Sequence, residues 1–336
     1  MDRKKFLKST LVGAAATIGG LGIASASQTE NENTTKVNEA KSHTHDKIKD
    51  KFAEVELLAA YFTIAGDIHP FGPTEISTFS FKDRVEAAAK AGYKGFGMIR
   101  ADIVYNEQLI GLKEMKKILD ANGITKVEFE FLGGWYTKGK DRKDSDAYRK
   151  DLMRAADVFN PINIKVAPTI GFDEKDNNIP LMVDEFGKLA QEASEHGTNI
   201  AVEIMPFSNI RTLETGLAIV QGANHKNGGL LLDIWHINRG NIPYSEIAKI
   251  PGQFVKSIEL NDAEEYAVTP LWMDTIHRRK LTGEGVFDVK GFISAVQQTG
   301  YNGHYGVEVL SQEVRKMALT DMTKKSFDTS MSFFKK

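Results

Sequence analysis

The chain of 336 residues contains no cysteine. This absence excludes disulfide bonds, zinc sites built from thiolates and cysteine nucleophiles. The formal net charge is only -2, whereas proteins that bind nucleic acids usually present a basic face, so no nucleic-acid partner is expected. A glycine fingerprint is also missing after the first predicted strand, which weakens the case for a dinucleotide-binding enzyme.

Long apolar runs are scarce too, and the N-terminal one is short. A basic start at residues 1–8 precedes an apolar, Gly- and Ala-rich stretch at 11–24 and the small residues Ala24-Ser25-Ala26. This pattern predicts an export signal peptide over residues 1–26, because the stretch is too short for a comfortable membrane span. The start resembles a twin-arginine signal with Lys4 in place of the second arginine, so the general secretory route stays open. We expect an exported, periplasmic protein without stable membrane insertion after cleavage; an uncleaved anchor is the alternative.

Residues 27–50 are polar, charged and poor in aromatics, which predicts a disordered linker. From residue 51 to 336, short apolar runs alternate with amphipathic stretches that end at glycine. The first four runs are Leu57–Ala65, Gly95–Ile99, Lys126–Leu132 and Asn163–Pro168. Such alternation indicates a parallel sheet, and eight repeats of this length predict an α/β fold, a closed (β/α)8 TIM barrel. An open doubly wound sheet is the alternative.

The last four apolar runs each end at an acidic residue. These residues are Glu203, Asp233, Glu259 and Glu308. A carboxylate at the end of a buried strand is costly unless its charge is offset, and active sites of TIM barrels lie at the C-terminal ends of the strands. A bound divalent cation is the simplest solution, although a salt bridge at the rim or, for Asp233, a helix cap would also satisfy one carboxylate alone.

An all-oxygen ligand set favours Mn²⁺ or Mg²⁺ over Zn²⁺ and leaves Ca²⁺ open. Four carboxylates exceed the charge of one divalent ion. The charge would balance in any of four ways: through a nearby cation, through protonation of one acid, through a second metal ion, or if Glu259 does not bind the metal directly. Arg279, in the run H-R-R-K-L-T-G-E-G after strand seven, is the candidate cation, because a guanidinium binds hydroxyls and stabilises oxyanions. The alternative is a solvated basic run.

Several segments resemble one known family. The strand-end acids, D-I-W-H around His236, R-K-L-T-G-E-G after Arg279 and G-Y-N-G-H-Y-G-V-E-V are similar to xylose isomerase-like TIM barrels, in particular the sugar phosphate isomerase/epimerase group with its D-tagatose 3-epimerase-like enzymes. The resemblance covers roughly residues 55–320.

The resemblance implies a divalent metal, often Mn²⁺, held by Glu, Asp, His and Glu from the last four strands. Glu203, Asp233 and Glu308 match three of these ligands, and Glu259 stands where the family often has histidine. It further implies that the residues matching Glu203 and Glu308 form the acid/base pair, and that His236 and Arg279 bind substrate.

Together these features predict a metal-dependent isomerase or epimerase for a free sugar, keto-sugar or inositol derivative. The metal would polarise the substrate carbonyl and stabilise an enediolate, while the two glutamates move the proton. Trp135 is a candidate for stacking on the sugar, although packing is the commoner fate of tryptophan. A 3-keto-glycoside lyase or hydrolase with the same site and a non-catalytic sugar-binding barrel are the alternatives. The sequence does not define the oligomeric state, and a homo-oligomer stays open.

Overall fold

The computed structural model describes residues 55–171 and 177–335. The predicted export signal and the predicted linker lie outside these residues, so both remain predictions. Within the described ranges, no helix has the length and apolar character needed to cross a bilayer.

Eight parallel strands form a closed barrel in which the first strand pairs with the last. The barrel strands are β1 (Leu57–Ala59), β2 (Gly95–Ile99), β3 (Lys126–Leu132), β4 (Asn163–Val166), β5 (Ile200–Glu203), β6 (Gly228–Asp233), β7 (Val255–Leu260) and β10 (Tyr305–Val307). Two short strands, β8 (Asp262–Ala263) and β9 (Arg279–Lys280), form a separate antiparallel pair. The predicted (β/α)8 barrel is therefore confirmed.

Helices alternate with the strands along the chain, as a parallel barrel requires. They are α1 (Phe81–Ala91), α2 (Arg100–Ile110), α3 (Leu112–Ala121), α4 (Gly139–Phe159), α5 (Ile179–Glu195), α6 (Leu213–Ala223), α7 (Ile234–Arg239), α8 (Tyr244–Ile247), α9 (Leu271–His277), α10 (Val289–Gln298) and α11 (Leu319–Met331). Helix α1 illustrates how local sequence sets the helix ends. At its start, the Ser80 hydroxyl accepts a hydrogen bond from the Asp83 N–H. At its end, Gly92 has a φ of 116°, a conformation that suits glycine.

Most of the strand residues are buried, as expected when helices cover one face of a sheet and a barrel interior the other. The first strand is shorter than its apolar run, because a 3-10 turn at Tyr61–Thr63 follows it. The Tyr61 N–H, released from the sheet, donates to Glu130 Oε1 at 2.9 Å.

Strand register brings the acidic residues together. Asp233 on β6 lies opposite Glu259 on β7, and Glu203 on β5 lies opposite Leu231. Strand β10 pairs with β7, so Glu308, one residue beyond β10, lies at the same end. The fold therefore places all four predicted acids at the C-terminal ends of neighbouring strands.

Candidate metal centre and active site

Four carboxylates converge at this end of the barrel, and each is at least nine-tenths buried. Oxygens of Asp233, Glu259 and Glu308 lie within 4.8 Å of one another, as do ligand atoms of Glu203, Asp233 and His236. Asp233 belongs to both groups. The predicted ligand set is thus brought together, and His236 lies beside it.

Asp233 has two roles at once. Its Oδ1 accepts from the Trp235 N–H at 2.7 Å, which caps α7, and from the Asn261 side chain at 3.0 Å. Its Oδ2 accepts from Arg279 Nη1 at 2.6 Å. Burial alone would raise the pKa of Asp233, but the positive charge of Arg279 and these hydrogen bonds hold it below the ordinary value. Asp233 can therefore cap α7 and belong to the candidate metal centre at the same time.

Arg279 reaches the centre from β9, as predicted from its position after strand seven. Its Nη1 donates to Glu308 Oε2 at 2.9 Å as well as to Asp233. The Thr275 hydroxyl accepts from Nε and Nη2, and the guanidinium lies 5.7 Å from the centre of the Trp235 ring. These contacts fix the guanidinium against the acids and at the wall of the cavity.

Lys165, on strand β4, points into the barrel. Its Nζ forms an ion pair with Glu259, and lies 2.9 Å from Glu128 Oε1 and 3.3 Å from Glu130 Oε1. The ammonium is nearly completely buried. Although burial favours the neutral amine, these three carboxylates raise the pKa of Lys165 well above its usual value, so it remains a cation.

Glu128 is the interior residue that the sequence analysis missed. Its Oε2 accepts from the Ser257 hydroxyl at 2.9 Å, and the side chain is fully buried. Despite burial, Lys165 and His304 lower the pKa of Glu128 to about 2. The alternating pattern K-V-E-F-E-F-L indicates this position, because residues two apart in a strand share a face. Glu128 and Glu130 therefore both point into the barrel.

The charge balance of this centre suits a divalent cation. Six buried carboxyl groups face the two buried cations Lys165 and Arg279. The carboxyl groups are those of Glu128, Glu130, Glu203, Asp233, Glu259 and Glu308. Burial raises the pKa of Glu308 to about 8, and burial together with the neighbouring Glu308 raises that of Glu259 well above its usual value.

A donor atom is also available for a metal. Glu203 Oε1 is buried, with His236 Nε2 3.2 Å away. Oxygen donors at this spacing and the excess of buried carboxyl groups together fit a bound divalent ion. Glu203, Asp233, Glu259 and Glu308 would hold it, and His236 offers a nitrogen.

His236 is buried on α7, with Nε2 3.2 Å from Glu203 Oε1 and 3.4 Å from Arg279 Nη2. It lines the cavity, as a substrate-binding residue must. Trp135 does not: its ring is 2% exposed and packs against Tyr136 and Phe186, while its N–H donates to the Ala167 carbonyl at 2.9 Å. The structure therefore does not support stacking of Trp135 on a sugar, because the ring is enclosed and its polar atom already satisfied.

Asp262 organises the loop that carries Arg279. Its carboxylate accepts from the N–H groups of Ala263, Gly283 and Phe287 at 2.9, 3.0 and 2.9 Å. The β8–β9 pair, which joins Ala263 to Arg279, closes the same loop. The T-G-E-G segment thus supports the arginine rather than contributing a side chain to the carboxylate cluster.

A cavity of about 570 Å³ opens over these residues. Its charged lining comprises Glu75, Glu130, Asp141, Asp144, Lys165, Glu203, His236, Arg279 and Glu308, and the lining also includes aromatic and aliphatic side chains. A pocket of this size with a few convergent polar groups is typical of a small-molecule site. The fold and site define a TIM barrel with a candidate divalent-metal centre at the C-terminal ends of its strands.

A profile of the xylose isomerase-like TIM barrel family matches residues 85–336. The chain belongs to this family, as its motifs suggested. The 3-dehydroshikimate dehydratase of Pseudomonas aeruginosa is 26% identical over 239 residues, which are 69% of this chain and 36% of that enzyme. The chain therefore spans about a third of the length of that relative. The inosose isomerase of Halalkalibacterium halodurans is 22% identical over 67% of this chain and 80% of its own length.

Solved structures show the same fold. The IolI protein with a bound zinc atom superposes with a TM-score of 0.73 at 18% identity, over 83% of this chain and 98% of that one. The D-allulose 3-epimerase of Methylomonas sp., in complex with D-allulose, gives 0.63 at 16% identity over 83% and 96%. At these identities the likeness concerns the architecture alone.

Proposed function

We propose that this protein is a divalent-metal-dependent isomerase or epimerase that moves a proton beside a carbonyl of a free sugar, keto-sugar or inositol derivative. The observation that carries the proposal is the presence of Glu203, Glu308 and Arg279 in the lining of one cavity, with Asp233 and Glu259 beside them. The relatives named above, an inosose isomerase and a dehydratase, support chemistry of this kind.

A divalent ion held by these carboxylates, Mn²⁺ by preference, would polarise the carbonyl of a bound hydroxy-ketone and so acidify the neighbouring C–H. Glu203, whose Oε1 lies 3.2 Å from His236 Nε2, would accept that proton. Glu308, held 2.9 Å from Arg279, would return a proton. Return to the opposite face yields an epimer, and return to the adjacent carbon yields an isomer.

Arg279 and His236 have the remaining tasks. The Arg279 guanidinium, held by Thr275, is a fixed cation in the cavity lining for an oxyanion that develops on the substrate. His236 also lines the cavity, and its imidazole would bind a substrate hydroxyl.

The test is deuterium uptake from solvent into carbon positions across a panel of ketoses, inososes and 3-keto-glycosides with Mn²⁺. We expect Glu203→Gln and Glu308→Gln each to slow exchange by roughly 10²–10⁴-fold, the usual size of a general acid–base contribution. Glu313→Gln is the matched control, because its side chain is 80% exposed. Metal content measured in parallel separates loss of the proton carrier from loss of the ion.

Undiminished exchange in both glutamine variants would remove these residues from the mechanism. A lack of exchange with every substrate in the wild-type protein would instead favour a non-catalytic sugar-binding barrel.

A lyase is the second candidate, and the match to 3-dehydroshikimate dehydratases favours it. The same proton abstraction beside a carbonyl, followed by departure of a group from the next carbon, gives an unsaturated ketone. The electron pair of the broken C–H bond forms the new double bond, and the leaving group takes a proton. The same panel separates the two: release of the aglycone from a 3-keto-glycoside identifies a lyase, and exchange without release identifies an isomerase or epimerase.

A further inference from the structure

The cavity extends well beyond its charged floor, which consists of Glu130, Lys165, Glu203, His236, Arg279 and Glu308. Its volume of about 570 Å³ falls within the roughly 300–1,000 Å³ typical of pockets for drug-sized ligands. A single sugar ring on the floor therefore leaves room towards the mouth.

One side of that outer space is apolar. We call it the apolar wall, and it consists of Phe62, Phe71, Ile99, Trp272 and Leu310. Phe62, Ile99 and Leu310 are buried in a small hydrophobic cluster that is separate from the main core. Three of the five wall residues therefore belong to one buried apolar cluster.

At the rim, an aromatic ring from a loop meets one from the start of α9. Phe71 and Trp272 lie with ring centres 5.3 Å apart in an edge-to-face arrangement. Phe71 remains 62% exposed, although a large apolar side chain gains by burial. An exposed aromatic pair at the mouth of a cavity is the arrangement expected where a ligand supplies the missing contact.

Phe71 is also held in this position by its backbone. Its φ of 57° is uncommon for a bulky residue and marks positions that the surroundings fix. The Phe71 N–H donates to Glu75 Oε1 at 2.8 Å, and the Tyr61 hydroxyl donates to the Glu75 carbonyl at 2.7 Å. The ring is therefore presented to the cavity mouth by a segment tied to the top of the barrel.

We infer that the apolar wall is a subsite for an aromatic substituent, so that the substrate is a sugar-like ring carrying an aromatic aglycone. The floor provides cations and carboxylates for the hydroxyl-bearing ring, and the wall provides an apolar surface for the planar group next to it. The rest of the lining mixes apolar side chains such as Met205 and Phe207 with polar ones, which include Asp141 and Ser145 of α4 and suit ring hydroxyls of such an aglycone. This inference rests on the proposed function and deepens its second candidate, the lyase on 3-keto-glycosides, because a glycoside carries an aglycone and its sugar ring must occupy the floor.

The experiment compares matched ligands on the Mn²⁺-loaded full-length protein by calorimetry. The ligands are the phenyl and methyl β-D-glucopyranosides and their 3-keto derivatives. We expect each phenyl ligand to bind at least about tenfold more tightly than its methyl partner, as burial of one aromatic ring predicts. Trp272→Ala and Phe71→Ala should erase this difference and leave the affinity for the methyl ligands unchanged.

Tyr266→Ala is the control, because Tyr266 is a 76% exposed aromatic residue outside the cavity lining. Unchanged metal content and circular dichroism show that the variants fold. Equal affinity for phenyl and methyl ligands, or binding of none of the four, would overturn the subsite. A phenyl preference that depends on Trp272, without carbon-bound proton exchange in any substrate, would leave the subsite standing and remove the proposed reaction.

Discussion

Lys165 lies within strand β4 and has three carboxylates as its nearest charged neighbours. Glu259, one of them, also belongs to the candidate metal centre. The Lys165 ammonium therefore balances the negative charge of acids inside the barrel. One divalent ion at the ends of the strands would not be enough to balance that charge. Removing one partner of a buried ion pair leaves an uncompensated charge, which costs more than the pair itself contributes.

We expect Lys165→Met to lower the free energy of unfolding of the metal-free protein by roughly 3–5 kcal/mol, the usual cost of an unpaired buried charge. Lys188→Met is the matched control: its exposed side chain pairs with Asp184 and Glu185 at 2.6 and 2.9 Å, and exposed pairs contribute only about 0–1 kcal/mol. Urea unfolding in the presence of a chelator measures the free energy of unfolding of both variants. Similar losses in the two variants would show that Lys165 does not balance the interior.

Single residues also show what the sequence could and could not predict. Glu203 and Asp233 were predictable because each ends an apolar run, and in a parallel barrel that end is where active sites lie. Lys165 was not, since a residue inside a strand points to either face and the sequence does not give the choice. The place of Trp135 was not predictable for another reason: Tyr136 and Phe186 enclose its ring, and the packing of α5 against a loop tryptophan has no local sequence signature.

Among the elements, the short β8–β9 pair has the largest effect on the site, because it carries Arg279. Gly285 passes close to this pair: a Cβ there would lie 2.2 Å from the Ala263 carbonyl oxygen and 2.4 Å from Asp262 Oδ1. No side chain fits at that separation without moving the loop.

Gly285→Ala should therefore destabilise the protein by about 1–3 kcal/mol, as overpacking does, and should also displace Arg279. Since small misplacements cost up to about 10²-fold in rate, we expect solvent exchange to slow at least tenfold at a temperature where the variant is fully folded. Gly187→Ala is the control, because its nearest neighbour is the Ala223 Cβ at 3.8 Å. An equal rate in both variants would show that the loop does not position the guanidinium.

Longer elements were easier to predict than loops. The runs Gly95–Ile99 and Lys126–Leu132 became strands over the same residues, because their apolar residues recur at alternate positions, as in a strand. The run at Leu57 ended early, because the Tyr61 N–H is satisfied by Glu130 from another strand. The aromatic pair joins Phe71 in a loop to Trp272 in α9, which are distant in sequence, so only the closed barrel reveals it.

For the whole molecule, the excess of buried carboxyl groups links stability to pH and to metal. The pKa of Glu308 rises from an ordinary 4.5 to about 8 in the folded protein, chiefly through burial. A raised pKa means that the stability present below pH 4.5 is lost as the pH rises towards 8, because the folded state must then hold an unfavourable charge. The raised pKa values of Glu259 and Glu130 act in the same direction.

The melting temperature of the metal-free protein should consequently fall by several degrees between pH 5 and pH 8. Mn²⁺ should raise it most at pH 8, because ligand carboxylates must lose their protons to bind the ion. Differential scanning calorimetry with and without a chelator measures this, and Glu308→Gln should flatten the slope. A pH dependence that is the same with and without metal would contradict the charge balance described here.

The seam of the barrel joins residues that are translated far apart in time: Leu57 pairs with Tyr305, and Glu308 follows directly. During synthesis on the ribosome, the cavity therefore lacks its final wall and Glu308, one of the two proposed proton carriers, until nearly the entire barrel has been made. A partly synthesised chain has no complete pocket, and the proposed activity can begin only once the ring has closed.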